Sequence, residues 1–239
     1  MRLHTFGMTD IGMKRKINQD SFLRDDAMSL YLVADGMGGH RGGEVASQLA
    51  VQVIQEFCQK EKNLPPREKI DQAINASCEQ IFQQSSENAE LAGMGTTILA
   101  LLFQDGHAYI GQVGDSRAYL MNGGQIWQVT EDHSLVNEEI RAGRLAANEA
   151  HTYQFKNVIT RSVGYERKVT VDIYRRKVAV GDTFLLCSDG LSGLVQTPEI
   201  EEAIRTLGLE QGLKALVQMA NDRGGDDNIT ALVCRVESV

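Results

Sequence analysis

The sequence predicts an α+β fold in which helices pack on antiparallel sheet. Three observations carry that reading. Turn signals such as Asp105-Gly106 and Asn122-Gly123-Gly124 separate short strand-like runs, as antiparallel hairpins require. Two helical patterns stand before that strand-rich centre and two more follow it, whereas a parallel doubly wound sheet would alternate one helix with each strand. The chain has 239 residues and is 42% hydrophobic, enough to bury one substantial core. No repeat, low-complexity tract or linker interrupts it, so residues 1–239 are expected to form one domain.

The elements follow in order. The first clear strand, Leu30–Ala34, runs into Asp35 and a glycine-rich stretch that ends at Gly43. From Glu44 to Phe57 the apolar residues Val45, Leu49, Ala50, Val53, Ile54 and Phe57 have the spacing of an amphipathic helix. Leu64-Pro65-Pro66 breaks the chain, and proline suits the first turn of a second helix from about Arg67 to Ser85. Thr96–Phe103, His107–Val113, Arg117–Met121 and Ile126–Val129 then read as a β meander. Glu131–Arg161 is polar and irregular, with a helical piece around Leu135–Ala142, and reads as a flap. Strands return at Val169–Tyr174 and Phe184–Cys187. Thr197-Pro198-Glu199 opens a helix with Thr197 as its N-cap, Gly212–Asn221 is a further helix, and Ile229–Val236 is the closing strand.

The formal net charge of −8 and the absence of a basic face argue against nucleic-acid binding. Lys14-Arg15-Lys16 and Arg175-Arg176-Lys177 are the basic clusters, and both suit solvated surfaces. Met1–Phe6 lacks the apolar core of a signal peptide, and no apolar run approaches the ~18 residues of a membrane span. Cys58, Cys78, Cys187 and Cys234 form no CxxC pair and read as reduced core thiols. The expected compartment is the cytoplasm.

Chemistry enters through three segments in which a hydrophobic run adjoins an aspartate flanked by glycine or asparagine. They are Leu30–Ala34 into Asp35-Gly36, Phe184–Ser188 into Asp189-Gly190, and Gly225-Asp226-Asp227-Asn228 into Ile229–Cys234. A strand end is a rigid mount, and glycine lets backbone and ion approach closely. Carboxylates gathered there repel one another and ask for hard divalent cations such as Mg²⁺ or Mn²⁺. A lone Asp-Gly is first of all a turn, as at Asp105-Gly106. The weight lies in the ordered set, joined by Asp10–Asp20 with its Asn18-Gln19-Asp20 and by Val113-Gly114-Asp115-Ser116-Arg117.

Those five motifs, in this order and over Thr9–Val236, resemble the bacterial metal-dependent serine/threonine protein phosphatases of the type 2C (PPM) family. Val129–Ser134 and Asn157–Arg161 also resemble family segments that bracket a flap. The resemblance implies a four-layer sandwich, two antiparallel β-sheets flanked by helices with metals at one end. It implies hydrolysis of phosphoserine and phosphothreonine by direct attack of metal-bound water or hydroxide. On that pattern Asp35 bridges two Mn²⁺ or Mg²⁺ ions and the Gly36 carbonyl binds one. Asp189 and Asp227 complete the other shell, Asp20 acts mostly through coordinated water, and Asp115 with Asp189 forms a weaker third site. Arg15 matches the phosphate-binding arginine, whose planar fork suits two phosphate oxygens.

Many eukaryotic relatives carry histidine directly after the metal-binding Asp-Gly, whereas this chain has Met37, which cannot donate a proton. The general acid is therefore open: His40 is the nearest candidate substrate contact, with water as the other source. Phosphorylated proteins as substrates, an opposing serine/threonine kinase, a signalling role and a monomeric state are further implications. Two other readings are a catalytically silent regulatory module of the same fold and another carboxylate-metal hydrolase such as a nuclease. The complete aspartate set counts against the first; the acidic balance counts against the second.

Overall fold

The central strands are apolar at successive positions because both their faces are covered. Along β3 (Leu30–Met37), Leu30, Leu32 and Ala34 join a core beneath helices, while Tyr31 and Val33 join a different core. β5 (Ile98–Gln104) divides in the same way, with Ile98, Ala100 and Leu102 on the first side and Leu99, Leu101 and Phe103 on the second. Such two-sided burial erases the polar alternation of a half-exposed strand.

The computed structural model of the protein describes residues 1–38 and 42–239. One sheet has the order β2 (Asp20–Asp25), β3, β5, β6 (His107–Val113), β9 (Asp172–Lys177), with the short β4 (Gly95–Thr96) paired to β3. The other has the order β1 (Arg2–Asp10), β11 (Ile229–Ser238), β10 (Thr183–Cys187), β7 (Arg117–Asn122), β8 (Gln125–Gln128). Neighbouring strands pair antiparallel throughout. Helices α1 (Gly42–Lys60) and α2 (Pro66–Glu87) cover the first sheet, and α5 (Thr197–Asp222) covers the second.

Between the sheets lies a third apolar layer in which Tyr31, Val33, Leu99 and Leu101 meet Leu120, Phe184, Leu186 and Leu232. Phe103 bridges it, edge-on to Tyr31 at 6.0 Å and to Phe184 at 5.4 Å, a geometry aromatic rings favour. The α+β sandwich expected from the sequence is therefore the observed architecture.

Several elements depart from expectation. The meander is split: β5 and β6 pair in one sheet, β7 and β8 in the other, and β6 does not pair with β7. The chain changes sheets at Gly114, whose φ of +104° and close approach to Thr97 exclude a side chain; a Cβ there would lie 2.6 Å from Thr97 Cγ2. The strand expected at Val169–Tyr174 starts only at Asp172, because the Val169 N–H is engaged by Asn75 Oδ1 of α2 at 3.0 Å. The cap of α5 is Gln196, not Thr197: the Gln196 N–H donates to Glu199 Oε2 at 2.9 Å. Gly208 (φ +79°) breaks α5 into two helical pieces. Strands β1 and β2 are additions, half-exposed and therefore without a strong apolar signal. The cysteines are free and buried. No helix of the described residues is long and apolar enough to cross a membrane.

Candidate metal centre

The site begins with strand register. β2 and β3 place Asp20 directly opposite Asp35, and like charges at facing positions destabilise a sheet. The position is held nonetheless by surrounding hydrogen bonds. The Asp35 N–H donates to Thr97 Oγ1 at 3.0 Å, and its carbonyl accepts from the Thr97 N–H at 2.8 Å and Thr96 Oγ1 at 2.9 Å. The Asp20 carboxylate accepts from Ser188 Oγ at 2.8 Å, and Ser188 Oγ in turn accepts from the Thr230 N–H at 3.0 Å. Ser188 thus has its hydroxyl committed to Asp20.

Three further aspartates arrive from other elements. Asp189 opens the short helix α4 (Asp189–Ser192) directly after β10, and Asp227 stands just ahead of β11. Asp115 lies in the crossing between the sheets, next to Ser116, whose hydroxyl hydrogen-bonds Thr97 Oγ1 at 2.8 Å. Arg15, Asp35, Gly36, Asp115, Asp189 and Asp227 line one cleft of about 250 Å³, together with Gln19, Thr97, Asn157 and Ile159. Asp20 does not line it and is buried. His40 lies outside the described residues.

Close backbone packing makes this possible. A Cβ on Gly36 would fall 2.0 Å from the Gly43 carbonyl oxygen, and one on Gly43 would fall 2.6 Å from the Gly36 oxygen. Only a glycine pair lets the strand end meet the start of α1. Asn228 docks the N-terminal loop: its Nδ2 donates to the Ile11 and Ile17 carbonyls at 2.9 and 3.1 Å, and its Oδ1 accepts the Gln19 N–H at 2.7 Å. The Met13 N–H adds a bond to the Gly225 carbonyl at 2.8 Å. Arg15 is thereby brought to Asp227, with Nη2 2.5 Å from Oδ2. The sequence motif contained Asn228, but its anchoring role appears only with the fold; Ile159 lay in the Asn157–Arg161 segment without a role of its own, and nothing in the sequence singled out Thr97.

The electrostatics call for a cation. Removal from water, followed by Ser188, Thr230 and carboxylate neighbours acting in opposite senses, leaves Asp20 raised to about 7. Asp115 is likewise raised to about 7, first by burial and then by Asp189. Burial also raises Asp35 and Asp189, reinforced by Asp20 and Asp227 respectively. Asp20 Oδ1 and Asp189 Oδ1 are buried without a hydrogen-bond partner. Orphaned, crowded carboxylate oxygens fit a hard divalent ion. Among the described residues no group of three or more His, Cys, Asp or Glu side chains is spaced to hold a metal ion.

A pH dependence follows. Asp20 and Asp115 titrate higher in the native state than the ordinary carboxylate value of 3.8. Between about 4 and 7 the native state therefore holds more protons than the unfolded one, and these groups' contribution to metal-free stability falls as pH rises. A cation must displace those protons. Mn²⁺ affinity is expected to strengthen as pH rises from 6 to 8, with proton release at pH 6 measured by calorimetry in buffers of different ionisation enthalpy. A pH-independent affinity without proton release would contradict the assignment.

The start of the 131–161 segment is tied to the same site. His133 is buried; its N–H donates to the Gly114 carbonyl, and its Nδ1 accepts the Gly114 N–H, both at 3.0 Å. Nε2 therefore carries the proton and donates to Asp172 Oδ2 at 3.1 Å, while the His133 carbonyl accepts the Thr160 N–H at 2.8 Å. One residue thus joins the Asp115 crossing, β9 and Thr160 near the end of that segment. Arg117 grips Asp132 through Nε and Nη2, at 2.9 and 2.6 Å from Oδ2.

The chain is similar to known proteins in sequence and in fold. Residues 13–233 match the family model described as Protein phosphatase 2C. The chain is 36% identical over 239 residues to the serine/threonine phosphatase stp of Listeria monocytogenes serotype 4b, covering 97% of this chain and 95% of that protein. Its fold is similar to the crystal structure of the Mycobacterium tuberculosis serine/threonine phosphatase PstP/Ppp, with a TM-score of 0.93, 34% identity and 99% of each chain covered. It is also similar to the catalytic domain of PstP in complex with two manganese ions, with a TM-score of 0.90, 34% identity and 99% of each chain covered.

Proposed function

This chain belongs to the protein phosphatase 2C family, and on that premise we propose how its cleft works. The protein is a divalent-metal-dependent serine/threonine phosphatase acting on phosphorylated proteins. The observation that supports the site assignment is the gathering of Asp35, Asp115, Asp189 and Asp227 around one cleft, with orphaned oxygens on Asp20 and Asp189.

In this reading Asp35, the Gly36 carbonyl, Asp189 and Asp227 would hold two core ions, Mg²⁺ or Mn²⁺. Asp20 would support them through water, and Asp115 with Asp189 would offer a weaker third position. When bound, divalent cations make water a nucleophile at neutral pH and offset charge on the phosphoryl oxygens. Ser188 and Asn228 hold the carboxylates and the Arg15 loop in place. Arg15 binds the substrate dianion; leaving Asp227 costs it little, because a half-exposed ion pair contributes only about 0–1 kcal/mol. Met37 beside Gly36 cannot supply the leaving group's proton, which leaves His40 or water for that task. Residues 131–161 form a flap of the single domain, contributing Asn157 and Ile159 to the cleft wall. A monomeric cytoplasmic enzyme opposing a serine/threonine kinase completes the proposal.

Release of inorganic phosphate from a phosphothreonine peptide, with Mn²⁺ and with a chelator, tests the activity; equal rates in both would reject it. Arg15→Ala is expected to weaken inorganic phosphate binding by roughly 10- to 100-fold, the scale of a lost charge-assisted contact, with Mn²⁺ affinity nearly unchanged. Calorimetric titration of both ligands checks this. An equal loss of Mn²⁺ binding would move Arg15 into the metal shell.

A further inference from the structure

Beside the metal cleft lies a larger open groove of about 580 Å³. Met37 and Ile159 line both spaces, so the two adjoin. Its remaining wall includes Tyr165, Glu166, Lys168 and Val169.

This wall is held in place along its length. Val163 and Thr96 exchange both backbone hydrogen bonds, at 2.8 and 3.0 Å. The Gly164 N–H donates to Cys78 Sγ at 3.3 Å, and Cys78 Sγ donates to the Glu166 carbonyl at 3.1 Å. The Val169 N–H is bound to Asn75. Gly164 has φ +96°, and a Cβ there would meet Ile81 Cγ2 at 2.1 Å, so the segment lies directly on α2. A wall anchored this way pays little ordering entropy when a chain settles on it.

The groove's chemistry is specific. Tyr165 is 72% exposed, an aromatic surface without internal cover. Arg161 is engaged by Asp172 at 2.9 Å, whereas among the described residues Lys168 has no carboxylate and Glu166 no cation within ion-pair distance. In a chain of net charge −8, a free lysine beside the catalytic cleft is a place where an acidic side chain is attracted rather than repelled.

We infer that this groove receives the polypeptide flanking the phosphorylated residue, with Met37 and Tyr165 as its apolar surface and Lys168 reading an acidic substrate side chain. Glu166 repels an acidic side chain placed at its own end, which makes the preference positional. The inference rests on the phosphatase reading and names the substrate class that the site selects.

The test uses phosphothreonine peptides of one core sequence with Glu, Ala or Lys scanned through the flanking positions, compared with p-nitrophenyl phosphate at saturating Mn²⁺. At one or more flanking positions the wild-type protein is expected to favour Glu over Lys by about three- to fivefold in kcat/KM, the range of an exposed charge pair, with the preference shrinking in high salt. Lys168→Ala removes the preference and Lys168→Glu reverses it, with p-nitrophenyl phosphate turnover and melting temperature unchanged. Persistence of the wild-type ratio in Lys168→Glu, or no preference in the wild type, overturns the groove. Failure of the wild type on every substrate overturns the phosphatase reading instead, and the groove with it.

Discussion

Asp35→Asn is expected to lower kcat by roughly 10³-fold or more, the scale at which a single electrostatic element of a transition state is lost. Asn keeps the carboxylate's shape, so the backbone bonds that Thr96 and Thr97 make to residue 35 remain. What disappears is a charge that stands opposite Asp20 and among Asp115, Asp189 and Asp227. The same substitution is expected to raise the melting temperature in chelator, because it removes a repelled, desolvated carboxylate. Steady-state kinetics at saturating Mn²⁺ and melting in EDTA measure the two effects on one preparation. Activity within tenfold of wild type would show that Asp35 is not at the centre of the reaction.

Mn²⁺ is expected to stabilise the wild-type protein strongly. An ion that binds only the folded chain contributes about 2.7 kcal/mol at 100 times its Kd for one site. For a chain of this size that is roughly 5–10 °C in melting temperature. The physical source is the cluster itself: Asp20 and Asp115, pushed to about 7 by burial and by neighbouring charge, lose that penalty when a cation is present. Melting curves in EDTA and in millimolar Mn²⁺ provide the measurement, and Asp35→Asn should abolish most of the difference. Superimposable wild-type curves would mean that the carboxylates do not bind the ion.

Much of this protein was legible before folding because two signals are local. A strand covered on both faces must be apolar throughout, so β3, β5, β10 and β11 stood out as runs. Turns that need positive φ must carry residues that tolerate it, so Asp105-Gly106 (φ +51° and +69°) and Gly123-Gly124 (+59° and +75°) marked their hairpins. The ordered Asp-Gly and Asp-Asn pairs likewise marked candidate metal-binding positions, and at Gly36 the glycine is required by the close approach to Gly43.

Other features depend on partners far away in sequence. β1 and β2 are half-exposed and owe their form to β11 and β3, so their own residues carry little pattern. A tight turn at Gly114 looks the same whether the next strand rejoins its neighbour or crosses to another sheet; the crossing shows only in the pairing of β7 with β10. Residue types alone therefore pointed to an α+β fold and to strand-end aspartates suited to divalent cations, because burial, turn geometry and charge are written residue by residue; the family resemblance added the hydrolase reading. Only the tertiary structure decided that Asp20 faces Asp35, that Ser188 bonds Asp20 and Asn228 bonds Gln19, and that Lys168 borders a groove beside that cleft, because register and proximity are properties of paired segments.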